Sequence, residues 1–276
     1  MNSVKVVCVC VGKCKINIHR ANSEREDNNG MTPMLYAVKR KSYKIVKLFL
    51  AMNVVSNKAN HSNGSKISAL SIACTAGSME LVKLLVEEGA EVNYLETNNL
   101  KHKEGENILT PLMCAARTNQ SQIIQFLVEE AGADLETQDK EHRTALFWSL
   151  EGTSNVEALK MLLSLGANIH AKNKSGEIIL HTAARCNRSK LAEMLLETEP
   201  DLIDSQDNDG KTPLHHAIYP PYRREEIGFS NQSIDVSNRN QRNNKEVFRV
   251  LLNFSPDLDE HGISLVYWTL RSESEE

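Results

Sequence analysis

Glycine is sparse and never clustered. The 13 glycines among 276 residues come no closer than ten positions apart, at Gly166 and Gly176. Neither G-x-G-x-x-G nor G-x-x-x-x-G-K-S/T can be built from that spacing, which excludes the usual backbone cradles for phosphate. Long apolar runs are missing too. The longest, Val6–Val11, is six residues. It is too short to span a bilayer, and it lacks the charged lead-in and small-residue cleavage site of a secretory signal. Charge of one sign is not in excess: 32 Lys+Arg against 36 Asp+Glu leave a net charge of -4 and a pI near 6.2. A dedicated nucleic-acid binder needs a basic face and a high pI, so that class is excluded. The six cysteines, at 8, 10, 14, 74, 114 and 186, form no C-x-x-C, and their wide spacing reads as reduced thiols. The expectation is a soluble protein of the cytoplasm, with access to the nucleus. Its length suits one large domain or two ordinary ones.

What is present is a repeat. Aligned on Thr32-Pro33-Met34, the same pattern recurs at Ser68-Ala69-Leu70, Thr110-Pro111-Leu112, Thr144-Ala145-Leu146, Ile178-Ile179-Leu180 and Thr212-Pro213-Leu214, with spacings of 36, 42, 34, 34 and 34. A second apolar run follows each of the first five anchors, beginning at Ile45, Leu81, Ile123, Ala158 and Leu191. Four of these runs close with turns: Gly89–Asn93, Gly132–Leu135, Gly166–Ile169 and Pro200–Ile203. Thr at the anchor can cap a helix start, and Pro at the first helical position gives up a donor that had no partner. Ala37, Ala73, Ala115 and Ala183 let a short first helix pack closely. Glycine after the second helix accepts the left-handed conformation that ends it. A unit of about 33 residues cannot bury its own apolar face, so the units must stack.

The stretch Gly210-Lys211-Thr212-Pro213-Leu214-His215-His216-Ala217 resembles the ankyrin-repeat signature, and Gly89-Ala90-Glu91-Val92-Asn93 resembles its β-turn. The match covers roughly residues 28–270. It implies an all-α ankyrin-repeat solenoid of stacked helix pairs with β-hairpin fingers, working as a monomeric protein–protein interaction module without catalysis or cofactor. It also implies that His181 and His215 support helix starts by hydrogen bonding. Ile178-Ile179 departs from the pattern by replacing Thr-Pro, and the fourth repeat has one extra residue between its helices.

Residues 1–27 read as a partial N-terminal repeat or cap, because Val6–Cys14 with Ile16-Asn17 resembles a second helix and its turn. That run is β-branched and a poor helix former, so it is either a frayed cap or the edge of a longer array. Residues 28–260 hold six repeats. Residues 261–276 hold half a repeat, Gly262–Leu270, and an acidic tail. The finger at 94–109 is about eight residues longer than its neighbours. The sixth repeat carries about 22 extra residues near 220–244 that open with Pro220-Pro221 and contain few apolar side chains. They read as a mobile loop, or as a docking segment centred on Tyr222-Arg223-Arg224.

No catalytic constellation stands out. Cys8, Cys10, Cys14 and His19 match no common structural-zinc spacing, so no metal is expected. Cys74 and Cys114 fall at packing positions, and the carboxylates of Asp27, Asp139, Asp207 and Asp209 follow turn chemistry. The positions that vary on a fixed scaffold carry more information. Two places past each motif's third residue, on the expected concave side, stand Tyr36, Ile72, Cys114, Trp148, Thr182, His216 and Trp268. One turn later come Lys39, Arg40, Arg117, Glu151, Arg185 and Tyr219. Aromatic and Arg side chains on an accessible groove are the usual anchors of protein recognition, although Trp148 and Trp268 would equally fill gaps between repeats. The excess of Lys and Arg over Glu suits an acidic partner. The chain is either a self-contained adaptor or inhibitor, or the recognition part of a larger protein of kinase, ubiquitin-ligase or channel type. Asn93, with Leu85 eight residues earlier, resembles the asparagines that hydroxylases modify in ankyrin turns.

Overall fold

A computed structural model describes residues 27, 31–51, 68–93, 109–150, 156–218 and 240–254, with side chains in the last segment from Glu246 onward. The chain divides into two units, Met1–Asn168 and Ile169–Glu276. Among the described residues the first holds four helix pairs: α1 (Pro33–Lys39) with α2 (Tyr43–Ala51), α3 (Ala69–Ala76) with α4 (Met79–Glu87), α5 (Pro111–Arg117) with α6 (Ser121–Glu129), and α7 (Ala145–Trp148) with α8 (Glu157–Ser164). First helices pack on first helices and second on second. The second unit holds α9 (Ile179–Arg185) with α10 (Ser189–Thr198), a 3-10 turn at Pro200–Asp204, and α11 (Pro213–Ile218) with α12 (Asn240–Phe254). No described residue belongs to a strand. The finger tips are turns, each closed by two backbone bonds: Asp139 N to Arg143 O with His142 N to Asp139 O, Asn173 N to Glu177 O with Gly176 N to Asn173 O, and Asp207 N to Lys211 O with Gly210 N to Asp207 O.

The repeat grammar explains these starts and stops. Thr32, Ser68 and Thr110 accept the amides of Leu35, Ser71 and Met113 at 3.3, 2.9 and 3.2 Å. Two repeats use histidine instead: the amides of Ile178 and Thr212 donate to His181 Nδ1 at 3.2 Å and His215 Nδ1 at 3.1 Å. Ile178 brings no acceptor of its own, so His181 alone supports that end. At the corner between helices, Ala37, Ala73, Ala115 and Ala183 each accept the amide five residues on, from Ser42, Ser78, Gln120 and Arg188. The residue before that donor is left-handed: Lys41 (φ 56), Gly77 (φ 69), Asn119 (φ 56) and Asn187 (φ 53). Asn and Gly suit that region, whereas lysine does not.

The core of each unit takes side chains from both helices of a pair, with Met34, Leu70, Leu112, Leu146 and Leu180 buried on first helices and a row of aliphatic side chains on the second. Leu81, Val82, Leu84 and Leu85 of α4, and Leu191, Ala192, Leu195 and Leu196 of α10, are all buried. At about 2 kcal/mol for each large side chain removed from water, such a row stabilises each helix by roughly 6–8 kcal/mol before the entropy of ordering is subtracted. In α2 only Val46 is buried. One expectation is corrected. Asn240–Asn244, read above as the end of an inserted loop, are helical. No Pro or Gly interrupts 240–254, and Gln241, Arg242, Lys245 and Glu246 favour extending the helix backward. Residues 1–26, most of 220–244, the long finger from 94 to 108, and 261–276 lie outside the described residues.

Candidate functional site

The row of first-helix positions expected to line a groove is mostly closed. Tyr36 is 42% exposed and Ile72 half-buried, but Cys114, Trp148 and Thr182 are buried, Trp148 to 2%. His216 is half-buried. Trp148 is therefore not an accessible anchor, and it takes the packing role that was its alternative reading. The reason lies nine residues earlier in the chain.

Three of these side chains, Tyr36, Trp148 and His216, are held by a finger-tip carboxylate. Trp148 Nε1 donates to Asp139 Oδ2 at 3.1 Å, Tyr36 Oη donates to Asp27 Oδ2 at 2.7 Å, and His216 Nε2 lies 2.8 Å from Asp207 Oδ2. The other oxygen organises the turn: Asp139 Oδ1 accepts the amides of Glu141 and Arg143, and Asp207 Oδ1 those of Asp209 and Lys211. One carboxylate thus closes its own turn and ties it to the first helix that follows. At Asp139 the clasp is strengthened by Arg143, whose Nε donates at 2.9 Å and whose guanidinium lies 4.2 Å from the Trp148 ring centre. Arg117 sits over the same ring at 5.9 Å.

The fifth repeat changes the chemistry. Asn173 stands where its neighbours have Asp, and Thr182 stands nine residues on. Asn173 Oδ1 still accepts the amides of Ser175 and Glu177. Its remaining polar atom is now a donor, and it donates to Glu177 Oε2 at 2.9 Å. The same buried carboxylate oxygen accepts from Arg185 Nη2 at 3.1 Å, while Oε1 lies 3.6 Å from His216 Nδ1. Thr182 Oγ1 is left buried without a hydrogen-bond partner. Glu177 thereby neutralises Arg185, one of the three arginines expected to meet a partner.

The titrating groups here are structural. Burial pushes the Asp207 carboxyl up, but the His216 ring and the amides of Lys211 and Asp209 outweigh it, and the net position is below the usual carboxylate value. Burial lowers His181 most strongly. Its Nδ1 accepts the Ile178 amide, so the proton sits on Nε2, which donates to Lys211 O at 3.0 Å. Burial likewise raises the thiols of Cys74 and Cys114, which fill space between first helices. Asn93 is exposed and bridges to the next turn, donating to Gly132 O at 3.0 Å and accepting from Asp134 N at 2.9 Å. Lys39 and Arg40 are exposed, and Arg117 and Arg185 half-buried. Glu151, Tyr219 and Trp268 lie outside the described residues. Among the described residues no group of His, Cys, Asp or Glu could hold a metal ion, and no helix is long and apolar enough to cross a membrane.

What the chemistry of the sequence missed was the pairing at nine residues. It was visible as Asp27/Tyr36, Asp139/Trp148 and Asp207/His216, and Asp259/Trp268 has the same spacing.

Comparison with known proteins agrees with this architecture. The family model for ankyrin repeats in three copies matches residues 6–96, 94–173 and 154–227. Inversin from Canis lupus familiaris is 31% identical over 204 residues, covering 72% of this chain and 18% of that protein. The Transient receptor potential cation channel subfamily A member 1 of Drosophila melanogaster is 28% identical over 199 residues, covering 69% and 16%. The Nuclear factor NF-kappa-B p105 subunit of Gallus gallus is 28% identical over 209 residues, covering 62% and 20%. The chain therefore spans a fifth or less of the length of these relatives. Helix pairs, capped starts and turn-closed fingers recur at the period that the family model recognises, and the chain belongs to the ankyrin-repeat family.

Proposed function

We propose that the chain is a protein–protein interaction module that acts by passive recognition, without chemistry of its own. The observation that carries this reading is the division of labour in each repeat. Buried Ala, Leu and clasped finger carboxylates fix the backbone, and side chains free of that duty (Lys39, Arg40, Ile72, Arg117), with the exposed ring of clasped Tyr36, differ from repeat to repeat on the first-helix side. A surface held that rigidly loses little entropy on binding. The described first helices of the Met1–Asn168 unit would meet the partner, with the chain working as a monomer in the cytoplasm and nucleus. Hydroxylation of Asn93 would follow only after local opening, because both amide atoms are engaged. The test is affinity purification with quantitative mass spectrometry. Thr75 is exposed on α3 between α1 and α5, so Thr75→Arg should remove a defined set of proteins while Lys160→Glu, on α8, should not. An identical set from wild type and Thr75→Arg would count against the reading.

A second reading rests on the coverage of the relatives. A chain matching 16–20% of longer proteins would serve as the recognition part of a larger protein. Detection of the native product with an antibody to α5–α8 settles the choice: a species far heavier than 30.9 kDa favours it, and one at that mass excludes it.

A further inference from the structure

We infer that the first-helix face of the Met1–Asn168 unit is a site for an acidic, extended segment of a partner protein, centred on Lys39, Arg40, Lys41 and Arg117. This rests on the interaction-module reading above and adds to it the chemistry and place of the contact. The inference comes from where charge has been left uncompensated. The four first helices of this unit, PMLYAVK, ALSIACTA, PLMCAAR and ALFW, contain no Asp or Glu. The second helices, by contrast, mix both signs, with Glu80, Glu87, Glu129 and Glu157 among Lys44, Lys47, Lys83 and Lys160.

The cations on the first-helix face are unpaired as well as unmixed. Lys39, Arg40, Lys41 and Arg117 make no ion pair among the described residues, and only Arg117 has any directed contact, with the Trp148 ring. The carboxylates nearby are already committed. Asp27 accepts from Tyr36 Oη and the Met31 amide, and Asp139 accepts from Arg143, Trp148 and two amides. In the other unit the corresponding Arg185 is neutralised by Glu177, so among the described ends of first helices the unpaired Lys and Arg are those of the Met1–Asn168 unit. A cation in a helix's last turn offsets the dipole, which accounts for Lys39 and Arg117 singly. Arg40 and Lys41 lie beyond the end of α1 and are exposed, and they answer to no such need.

The spacing suits an extended chain. α1 packs on α3 and α3 on α5, so two steps of about 8–10 Å separate Arg117 from the Lys39–Lys41 cluster. A strand rising about 3.3 Å per residue covers that in about six residues, with half-buried Ile72 and exposed Tyr36 and Thr75 between. Four cations fall short of the roughly 6–10 phosphate contacts of a nucleic-acid site. A carboxylate-bearing peptide, whose alternate side chains turn toward the surface, fits better.

Fluorescence anisotropy of the full chain with a labelled Glu-Ser repeat peptide of about twelve residues, beside its Gln-Ser counterpart, tests this at low and physiological salt. The Glu peptide should bind at least tenfold tighter than the Gln peptide and weaken as salt rises. The triple variant Lys39→Gln, Arg40→Gln, Arg117→Gln should lose at least tenfold while keeping the wild-type thermal melt, and Lys160→Glu should bind as wild type. Equal binding of the two peptides overturns the assignment, as does a triple variant that binds unchanged. Tighter binding of single-stranded RNA than of the Glu peptide would also overturn it, by making the face a general polyanion site. The module reading is tested separately by Thr75→Arg, so it can stand where the acidic-segment assignment fails, and the two failures are told apart.

Discussion

Trp148 Nε1 donates to Asp139 Oδ2 across 3.1 Å, nine residues apart in sequence and both almost wholly buried. That single bond joins a finger to the helix after it. Trp148→Phe keeps most of the packing but leaves the carboxylate one donor short, so it should cost about 1–3 kcal/mol. Asp139→Ala also strands Arg143, whose Nη2 already has no partner, and should cost about 3–5 kcal/mol. Urea denaturation of both variants checks the order. If Trp148→Phe is as stable as wild type, the bond contributes nothing.

Stability should fall as acid is added, beginning just below neutrality. His181 is held below its ordinary 6.5 by burial, so the unfolded chain takes up a proton there before the folded chain does. Its penalty appears as pH falls through 6.5 and is complete below the folded value. Asp207, held below its ordinary 3.8, contributes stability above that value that is lost as pH falls through the lower folded one. Denaturation midpoints at a series of pH values should decline in two windows. His181→Gln should flatten the upper window even if it lowers stability throughout.

Two backbone changes should have opposite signs. Gly176 is left-handed at φ 77, and a Cβ there would lie 2.7 Å from Asn208 N, so Gly176→Ala should destabilise by about 1–3 kcal/mol. Lys41 holds φ 56 without glycine's freedom, so Lys41→Gly should stabilise by about 1 kcal/mol. Thermal melts of the two variants, measured side by side, decide this.

How much of this was legible beforehand follows from what apolar periodicity reports. The helix pairs, the caps at Thr32, Ser68 and Thr110, and the His181 and His215 bonds were readable because each depends on residues within one turn of each other. Thr144 was not: it stands at a cap position yet makes no side-chain cap bond, and α7 runs only four residues. The sequence left Trp148 open between anchor and packing residue, because its burial requires the finger to fold back over the helix. Composition says nothing of that, although the nine-residue spacing from an Asp would have signalled it. The Asn173–Glu177–Arg185 arrangement was hidden for a further reason: exchanging Asp for Asn turns an acceptor into a donor and recruits a different neighbour.

Thiol chemistry gives an independent check on the stacking. Cys74 and Cys114 are buried, with their thiols pushed up by burial, so both should resist iodoacetamide in the native protein and react on unfolding. Peptide mass spectrometry distinguishes them from the other four cysteines. Rapid native labelling of either would mean that α3 and α5 do not pack as described.

Partners should meet the first-helix side of the Met1–Asn168 unit. Site-specific photo-crosslinking tests it most directly, with a photoreactive phenylalanine analogue placed in turn at Tyr36, Thr75 and Lys160 and the chain expressed in cells. Partner adducts are expected from positions 36 and 75 and none from 160. Adducts from 160 alone would contradict it.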